Sequence, residues 1–200
     1  MKKVSLFVSL LFVGTAVMAQ VSTKLGVKAG LNVANVSVQP QDFDKGSRLG
    51  FNGGLLAHIH VSPSFGIQPE ILYSNQGFED KSNASEWKLN YLNVPVMFQY
   101  MFDNGFRLQA GPQVGFLLDG KVADNYGEGA DLDIKQDLKK VDASVGVGLG
   151  YLSYSGLGIE GRYNHGLSNI NASGANKLQN RVFQVSLFYM LDNQHKAKSY

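Results

Sequence analysis

Eight segments of this 200-residue chain alternate apolar and polar residues with a period of two. The segments are about 24–33, 48–61, 66–76, 87–102, 106–118, 141–152, 157–167 and 181–191. In the first, Leu25 and Val27 fall on one face, and Lys28 and Asn32 fall on the other. A period of two is the side-chain repeat of a β-strand whose two faces meet different surroundings. The pattern therefore predicts an all-β protein of eight antiparallel strands.

The connections between the predicted strands alternate in length. Three are short and contain turn-forming residues, at 62–64, 103–105 and 155–156. Four are longer, at about 34–47, 77–86, 119–140 and 168–179. In an up-and-down barrel, all four long loops then lie at one end, and the chain termini lie with the short turns at the other. Outer-membrane barrels have this arrangement, with the long loops outside the cell and the turns in the periplasm.

Alternation alone does not distinguish the inside of a barrel from its outside. Glycines gather on the polar face here, as expected of the narrow interior of eight strands, where side chains converge. That face also carries charges of both signs, which we interpret as a mutually neutralising interior network. Its predicted members are Lys28, Arg48, Glu70, Arg107, Asp142, Glu160 and Arg162. The apolar face is then predicted to meet lipid, and the filled interior predicts that the protein is no general diffusion pore.

Three prolines lie inside the predicted strands, although a closed barrel has no edge strand to host them. Pro69, Pro95 and Pro112 are each predicted to mark a β-bulge or an unpaired position. Aromatic residues near strand ends are predicted at the lipid–water interfaces, with Trp87 and Tyr126 among them.

The first 19 residues are predicted to be a secretory signal peptide. A basic start is followed by an apolar run from Val4 to Val17 and by small residues that favour cleavage after Ala19. Residues 20–200 then form one barrel domain, and this part contains no apolar stretch of the ~20 residues that a transmembrane helix needs.

Composition narrows the class of protein further. The chain has no cysteine, so no disulfide framework supports it. Removal of Lys2 and Lys3 lowers the Lys+Arg count from 18 to 16, which equals the 16 Asp+Glu. A net charge near zero argues against nucleic acid as a partner.

Several motifs resemble the PorT-type outer-membrane β-barrel family, in order along nearly the whole mature chain. They are the segments 25–32 (LGVKAGLN), 67–73 (IQPEILY), 91–96 (YLNVPV), 110–118 (AGPQVGFLL) and 161–167 (GRYNHGL). The resemblance implies an eight-stranded transmembrane barrel in the outer membrane of a Gram-negative cell. It implies outer-membrane lipid and the barrel-assembly machinery as partners, and it suggests a secretion-accessory role, but no single activity.

Three groups of residues could form a functional site or could have only a structural role. His58, His60 and Glu70 fall on the polar face of neighbouring strands, where an acid–base or metal cluster is the alternative to hydrogen-bonded interior residues. His165 falls on the lipid side with Tyr163, as in an outer-membrane lipid-modifying enzyme. Carboxylates in the 119–137 loop suggest Ca²⁺, but their spacing is not that of an EF-hand, and a solvated loop is the better interpretation.

These observations lead to one functional expectation. We expect a non-enzymatic structural, interaction or secretion-accessory barrel, with no cofactor and no resident metal, that contacts secretion-system or surface proteins through its long loops. The alternative is a lipid-modifying enzyme.

Overall fold

The computed structural model describes residues 22–39, 44–124, 131–173 and 176–191. The predicted signal peptide, Tyr126 and the tail after Leu191 lie outside these ranges. The strands are β1 (Thr23–Gln39), β2 (Lys45–His60), β3 (Phe65–Asp80), β4 (Ser85–Met101), β5 (Phe106–Asp124), β6 (Leu132–Asp133), β7 (Val141–Leu152), β8 (Leu157–Gly166) and β9 (Lys177–Met190). A 3-10 helix spans Lys135–Asp137.

Antiparallel pairing closes the strands into a single ring. Each strand pairs with its neighbours in the chain, β1 pairs with β9, and the β4–β5 and β5–β7 ladders complete the circle. The two-residue β6 only adds to the outer part of β5, through Lys121 and Val122. The ring therefore has eight strands, which confirms the predicted antiparallel up-and-down barrel. In the described part of the chain, no helix is long and apolar enough to cross a membrane.

The two ends of the barrel differ in their connections. At the end that we call the turn end, strands are joined by 61–64, 102–105 and 153–156. Gly105 and Gly156 lie in these turns with φ of +90° and +86°, a backbone conformation that residues with a Cβ rarely adopt. The opposite, loop end carries the connections 40–44, 81–84, 125–140 and 167–176.

Two of the four predicted long loops are wrong. β3 and β4 continue as a hairpin to a four-residue connection at 81–84, and β1 and β2 take up most of 34–47. Strands β1 to β5 are 16 to 19 residues long, whereas a membrane crossing needs about 9–11 residues. The polar residues that suggested loops thus lie on strand extensions, where backbone pairing continues beyond the apolar belt.

The three strand prolines produce no bulge. Pro69, Pro95 and Pro112 each pair normally on one side, with Val96, Gln113 and Val145 respectively. On the other side each falls in a gap of the ladder, and the register is the same before and after that gap. A position unpaired on one side therefore accommodates the missing N–H without an extra residue. The register shifts that do occur lie between Ser47 and Asn52 and between Asn90 and Tyr91.

Large apolar side chains cover the outside of all eight ring strands. Leu25, Leu31, Leu49, Phe51, Leu55, Ile71, Phe98, Leu108, Phe116, Val147, Leu157, Ile159, Phe183 and Leu187 are all well exposed on the barrel surface. The residues between them point inward and are buried and mostly polar. This is the polarity of a barrel that stands in lipid.

Candidate functional site

The barrel interior holds a buried charge cluster at mid-height. Lys28 on β1, Glu70 on β3, and Glu160 and Arg162 on β8 all point inward, because each sits on the buried phase of its strand's alternation. Their side chains are at most 2% exposed. We call these four residues the central ion cluster.

The central ion cluster is balanced in charge and closely bonded. Arg162 donates two hydrogen bonds to Glu70, from Nη1 to Oε2 at 3.0 Å and from Nη2 to Oε1 at 2.8 Å. Lys28 Nζ bridges Glu70 and Glu160 at 2.7 Å each. The Arg162 Nη2 atom also lies 3.1 Å from Glu160 Oε1. Two cations thus face two carboxylates, which compensates the cost of burying each charge.

Amides complete the cluster's hydrogen bonding. Gln68 Nε2 donates to Glu70 Oε1 at 2.8 Å, and Gln109 Nε2 donates to Glu160 Oε2 at 3.2 Å. The four charged residues therefore span the interior from β1 and β3 to β8, with the amide of Gln109 on β5 joined to them.

Three predicted network members lie outside the central ion cluster. Arg48 forms an ion pair with Glu86, at 2.5 Å from Nε to Oε1, near the loop end. Asp142 accepts hydrogen bonds from Ser168 and, at 2.8 Å, from Asn180. Arg107 is 4% exposed, donates to Gln99 Oε1 at 3.3 Å, and has no carboxylate oxygen within 4 Å in the described part of the chain.

A layer of uncharged polar side chains lies next to the cluster. Asn52 and Gln184 both donate to Asn32 Oδ1, at 2.7 Å and 3.0 Å, and Asn32 donates to Ser74 Oγ at 3.0 Å. Ser186 donates to Asn52 Oδ1 at 3.1 Å. The predicted network contained only the charged residues of the polar face, although the same inward phase of each strand marks these amides and hydroxyls.

Toward the loop end the interior becomes apolar. Leu89, Tyr91 and Leu117 from the wall pack with Leu138 and Ile170 from the two long connections. A neighbouring cluster contains Val36, Val38 and Phe78. Trp87 stacks on Phe78 at 5.1 Å between ring centroids and packs against that cluster, so its predicted place at the lipid interface is wrong. Its strand position shares the inward phase of Leu89.

The outer surface changes polarity at the same height. Outward positions are apolar up to Val33, Tyr73 and Phe183, and the next outward positions are Asn35, Asn75 and Arg181. At this level the barrel thus passes from a polar inside with an apolar outside to the opposite arrangement. We call the part beyond it, with the two apolar clusters inside, the head. An apolar core under a polar surface is the arrangement of a part of a protein that is surrounded by water.

The two predicted histidines lie at the turn end and are separate from Glu70. The His58 and His60 rings meet edge to face with 4.4 Å between centroids, and Glu70 is held by Lys28 and Arg162. In the described ranges, no group of three or more His, Cys, Asp or Glu residues could hold a metal ion. Of the acidic loop, Asp119 lies 3.7 Å from Lys121, and Glu128 falls outside the described residues.

His165 lies on the outward face of β8, half-buried beside Tyr163 at 6.3 Å between ring centroids. Its cross-strand neighbours are Val145 and Arg181. These neighbours supply neither a nucleophile nor a carboxylate for an acid–base reaction.

Known proteins share this architecture. The structure of Neisserial surface protein A superposes with a TM-score of 0.56 at 13% identity and covers 84% of this chain and 98% of that one. Ail, the attachment invasion locus protein of Yersinia pestis, superposes with a TM-score of 0.52 at 15% identity and covers 84% and 99%. At these identities the likeness is one of fold.

No curated protein matches the sequence. A family model described as an outer membrane protein beta-barrel domain matches residues 18–172, most of the chain. None of these descriptions names a catalytic activity. The chain therefore belongs to the outer membrane protein beta-barrel domain family, and it is an eight-stranded barrel of the outer membrane.

Proposed function

We propose that this protein is a non-enzymatic barrel that presents its head outside the cell as a rigid interaction surface. The observation that carries the proposal is the reversal of polarity at the loop end. An apolar core closed by Leu138 and Ile170 gives the head internal support beyond the lipid belt. Connections held on a rigid scaffold are where binding function usually resides.

The filled interior supports a role other than general diffusion. The central ion cluster, the amide layer and the apolar core of the head follow one another along the barrel. Eight strands leave an interior that is only wide enough for side chains, and here large side chains occupy it.

The sequence motifs favour a secretion-accessory version of this role. The segments 67–73 and 91–96 that resemble PorT-type barrels include Glu70 of the central ion cluster and Tyr91 of the head. In this version the partners are secretion-system or surface proteins that contact the head, while outer-membrane lipid and the barrel-assembly machinery serve insertion. Adhesion and envelope integrity are the other versions, and the same head surface would carry them.

A lipid-modifying enzyme is the competing proposal. The observation that favours it is the pair of His165 and Tyr163 on the lipid-facing surface. We rank it second because the cross-strand neighbours Val145 and Arg181 provide no nucleophile or carboxylate.

One genetic comparison separates the two proposals. In a deletion strain, lipid A and the secreted and surface proteins are both profiled by mass spectrometry. We expect specific secreted or surface proteins to be lost while lipid A stays unchanged. Complementation with the exposed head variant Lys139→Glu/Lys140→Glu should fail, and the exposed turn-end control Ser155→Glu should restore the wild-type profile. Altered lipid A that wild type restores and His165→Ala does not would overturn the proposal.

A further inference from the structure

A cavity of about 540 Å³ opens among the turns at the turn end. Its lining includes Lys24 at the start of β1, His58 and His60 at the end of β2, and Arg107 near the start of β5. Asp103, in the 102–105 turn, is the one carboxylate in the described lining. The described lining therefore contains two cations, Lys24 and Arg107, and two imidazoles, but only one carboxylate.

Arg107 is the first sign that this cavity accepts an anion. Its guanidinium is buried, yet no carboxylate oxygen of the described chain lies within 4 Å, and its Nε atom makes no hydrogen bond. One long bond to Gln99 and the Phe188 ring, 5.7 Å from the guanidinium carbon, are its observed contacts. A buried charge without a direct counterion is costly. Glu160 interacts electrostatically with Arg107, but its Oε1 already contacts Lys28 and Arg162, so Arg107 remains a surplus cation beside the balanced central ion cluster.

His58 is the second, independent sign. The residue is 1% exposed and lines the cavity, and neither ring nitrogen makes a hydrogen bond of good geometry, although Gln68 lies near the ring. Arg107, His60 and Lys24 all lie close enough to interact electrostatically with it. Buried polar nitrogens are normally hydrogen-bonded, and the nearby Gln68 side chain can serve only one of the two ring nitrogens, so the other is open to a ligand in the cavity.

We propose that the turn-end cavity binds a phosphate group. Arg107 would hold two of its oxygens, because a guanidinium fork matches the geometry of phosphate. His58 would donate from the cavity wall, and Lys24 would add charge at the mouth. The surplus of cations over Asp103 favours a phosphate over a singly charged carboxylate. The phosphate comes from either a free anion or the headgroup of a lipid, since the exposed Phe102, Phe106 and Tyr154 lie in the same rim.

Histidine side-chain NMR tests this proposal with an internal control. The chain has only four histidines, and His165 lies on the lipid face away from the cavity. Mature protein is folded in a phosphate-free maltoside detergent and titrated with inorganic phosphate, and separately with short-chain phosphatidylglycerol below its micelle concentration. The ¹⁵N shifts of His58 and His60 should move saturably while that of His165 stays constant. Response to inorganic phosphate identifies a free anion, and response to the lipid alone identifies a headgroup.

Matched variants assign the effect to the cavity. Arg107→Gln should weaken binding by about tenfold or more, the effect of losing a charge-assisted pair of hydrogen bonds. Arg48→Gln makes the same change at the other end of the barrel and should leave binding unchanged. If Arg107→Gln does not fold, as judged by its mobility on an unboiled detergent gel, Lys24→Gln at the half-buried mouth should weaken binding several-fold. No saturable response to either probe, an equal response of His165, or unchanged binding in the cavity variants would overturn the proposal.

Discussion

At the scale of single residues, charge balance governs the barrel interior. Arg162 is the most deeply placed member of the central ion cluster, and Glu70 is its two-bond partner. Lys28 Nζ and Glu160 Oε1 lie 2.7 Å apart and form the other ion pair. The cluster thus divides into two neutral pairs that share hydrogen bonds.

This division makes Arg162→Leu a sharp test. The single change leaves the cluster with one cation, Lys28, for the two carboxylates of Glu70 and Glu160. It should lower the free energy of unfolding by about 3–5 kcal/mol. The double change Arg162→Leu/Glu70→Gln removes one neutral pair and should be less destabilising than the single change. Urea unfolding in lipid vesicles, followed by tryptophan fluorescence, measures both values.

The matched control combines Arg162→Leu with Glu86→Gln, an acid that pairs with Arg48 outside the cluster. Because the two sites share no partner, their costs should add. A double Arg162→Leu/Glu70→Gln variant that is less stable than Arg162→Leu alone would contradict the pairing described here.

Period-two alternation assigns these charges to one face of their strands, but it does not say which of them meet. Lys28 and Glu160 are 132 positions apart in the chain, and their contact depends on the stagger of strands around the closed ring. Period-two alternation contains no information about that stagger. The same limit explains why Arg48 and Asp142, which also alternate with apolar residues, have their partners near the loop end.

At the scale of strands, the sheet tolerates a proline at a position that pairs with only one of its two neighbouring strands. Pro112→Ala should therefore change the free energy of unfolding by no more than about 0.5 kcal/mol. Val114 differs, because it pairs with Val94 on one side and Ala143 on the other. Val114→Pro should cost about 1–3 kcal/mol, since it leaves a backbone carbonyl unpaired. The same urea titration compares the two, and equal costs would show that the pairing gaps have no role.

The head is the second feature at this scale, and the packing of Leu138 in its apolar core can be tested. Leu138 is 5% exposed and packs with Ile170 in the head core. Leu138→Ala should loosen the 125–140 connection and speed its limited proteolysis by about tenfold or more, because cavity formation costs about 2–5 kcal/mol. Leu132 is 68% exposed in the same connection, so Leu132→Ala serves as the control and should have little effect. Equal cleavage rates in the two variants would show that Leu138 does not anchor the connection.

Strand positions were readable from the sequence, but strand ends were not. Alternation predicted all eight ring strands because the inward and outward faces differ along the lipid belt. Above Val33 the two faces exchange character, so that Asn35 is outward and Val36 is buried. If every outward position is expected to be apolar, this exchange of the two faces looks like the end of the strand. The strand extensions that form the head were therefore predicted as loops.

At the scale of the whole molecule, the barrel is filled from the central ion cluster to the head. Next to this filling, a cavity of about 540 Å³ lies at the turn end, and its lining includes Arg107 and His58. A protein of this design spans the membrane as a filled scaffold.

Single-channel recording in planar bilayers tests this central claim most directly. Folded protein of residues 20–200 is inserted at a known amount, and a 16-stranded porin in the same bilayer serves as the positive control. We predict no large, steady conductance from the wild-type barrel under conditions where the porin gives clear steps, because charged, amide and apolar side chains occupy the interior in turn. Large, long-lived current steps that scale with the amount of inserted protein would contradict the account.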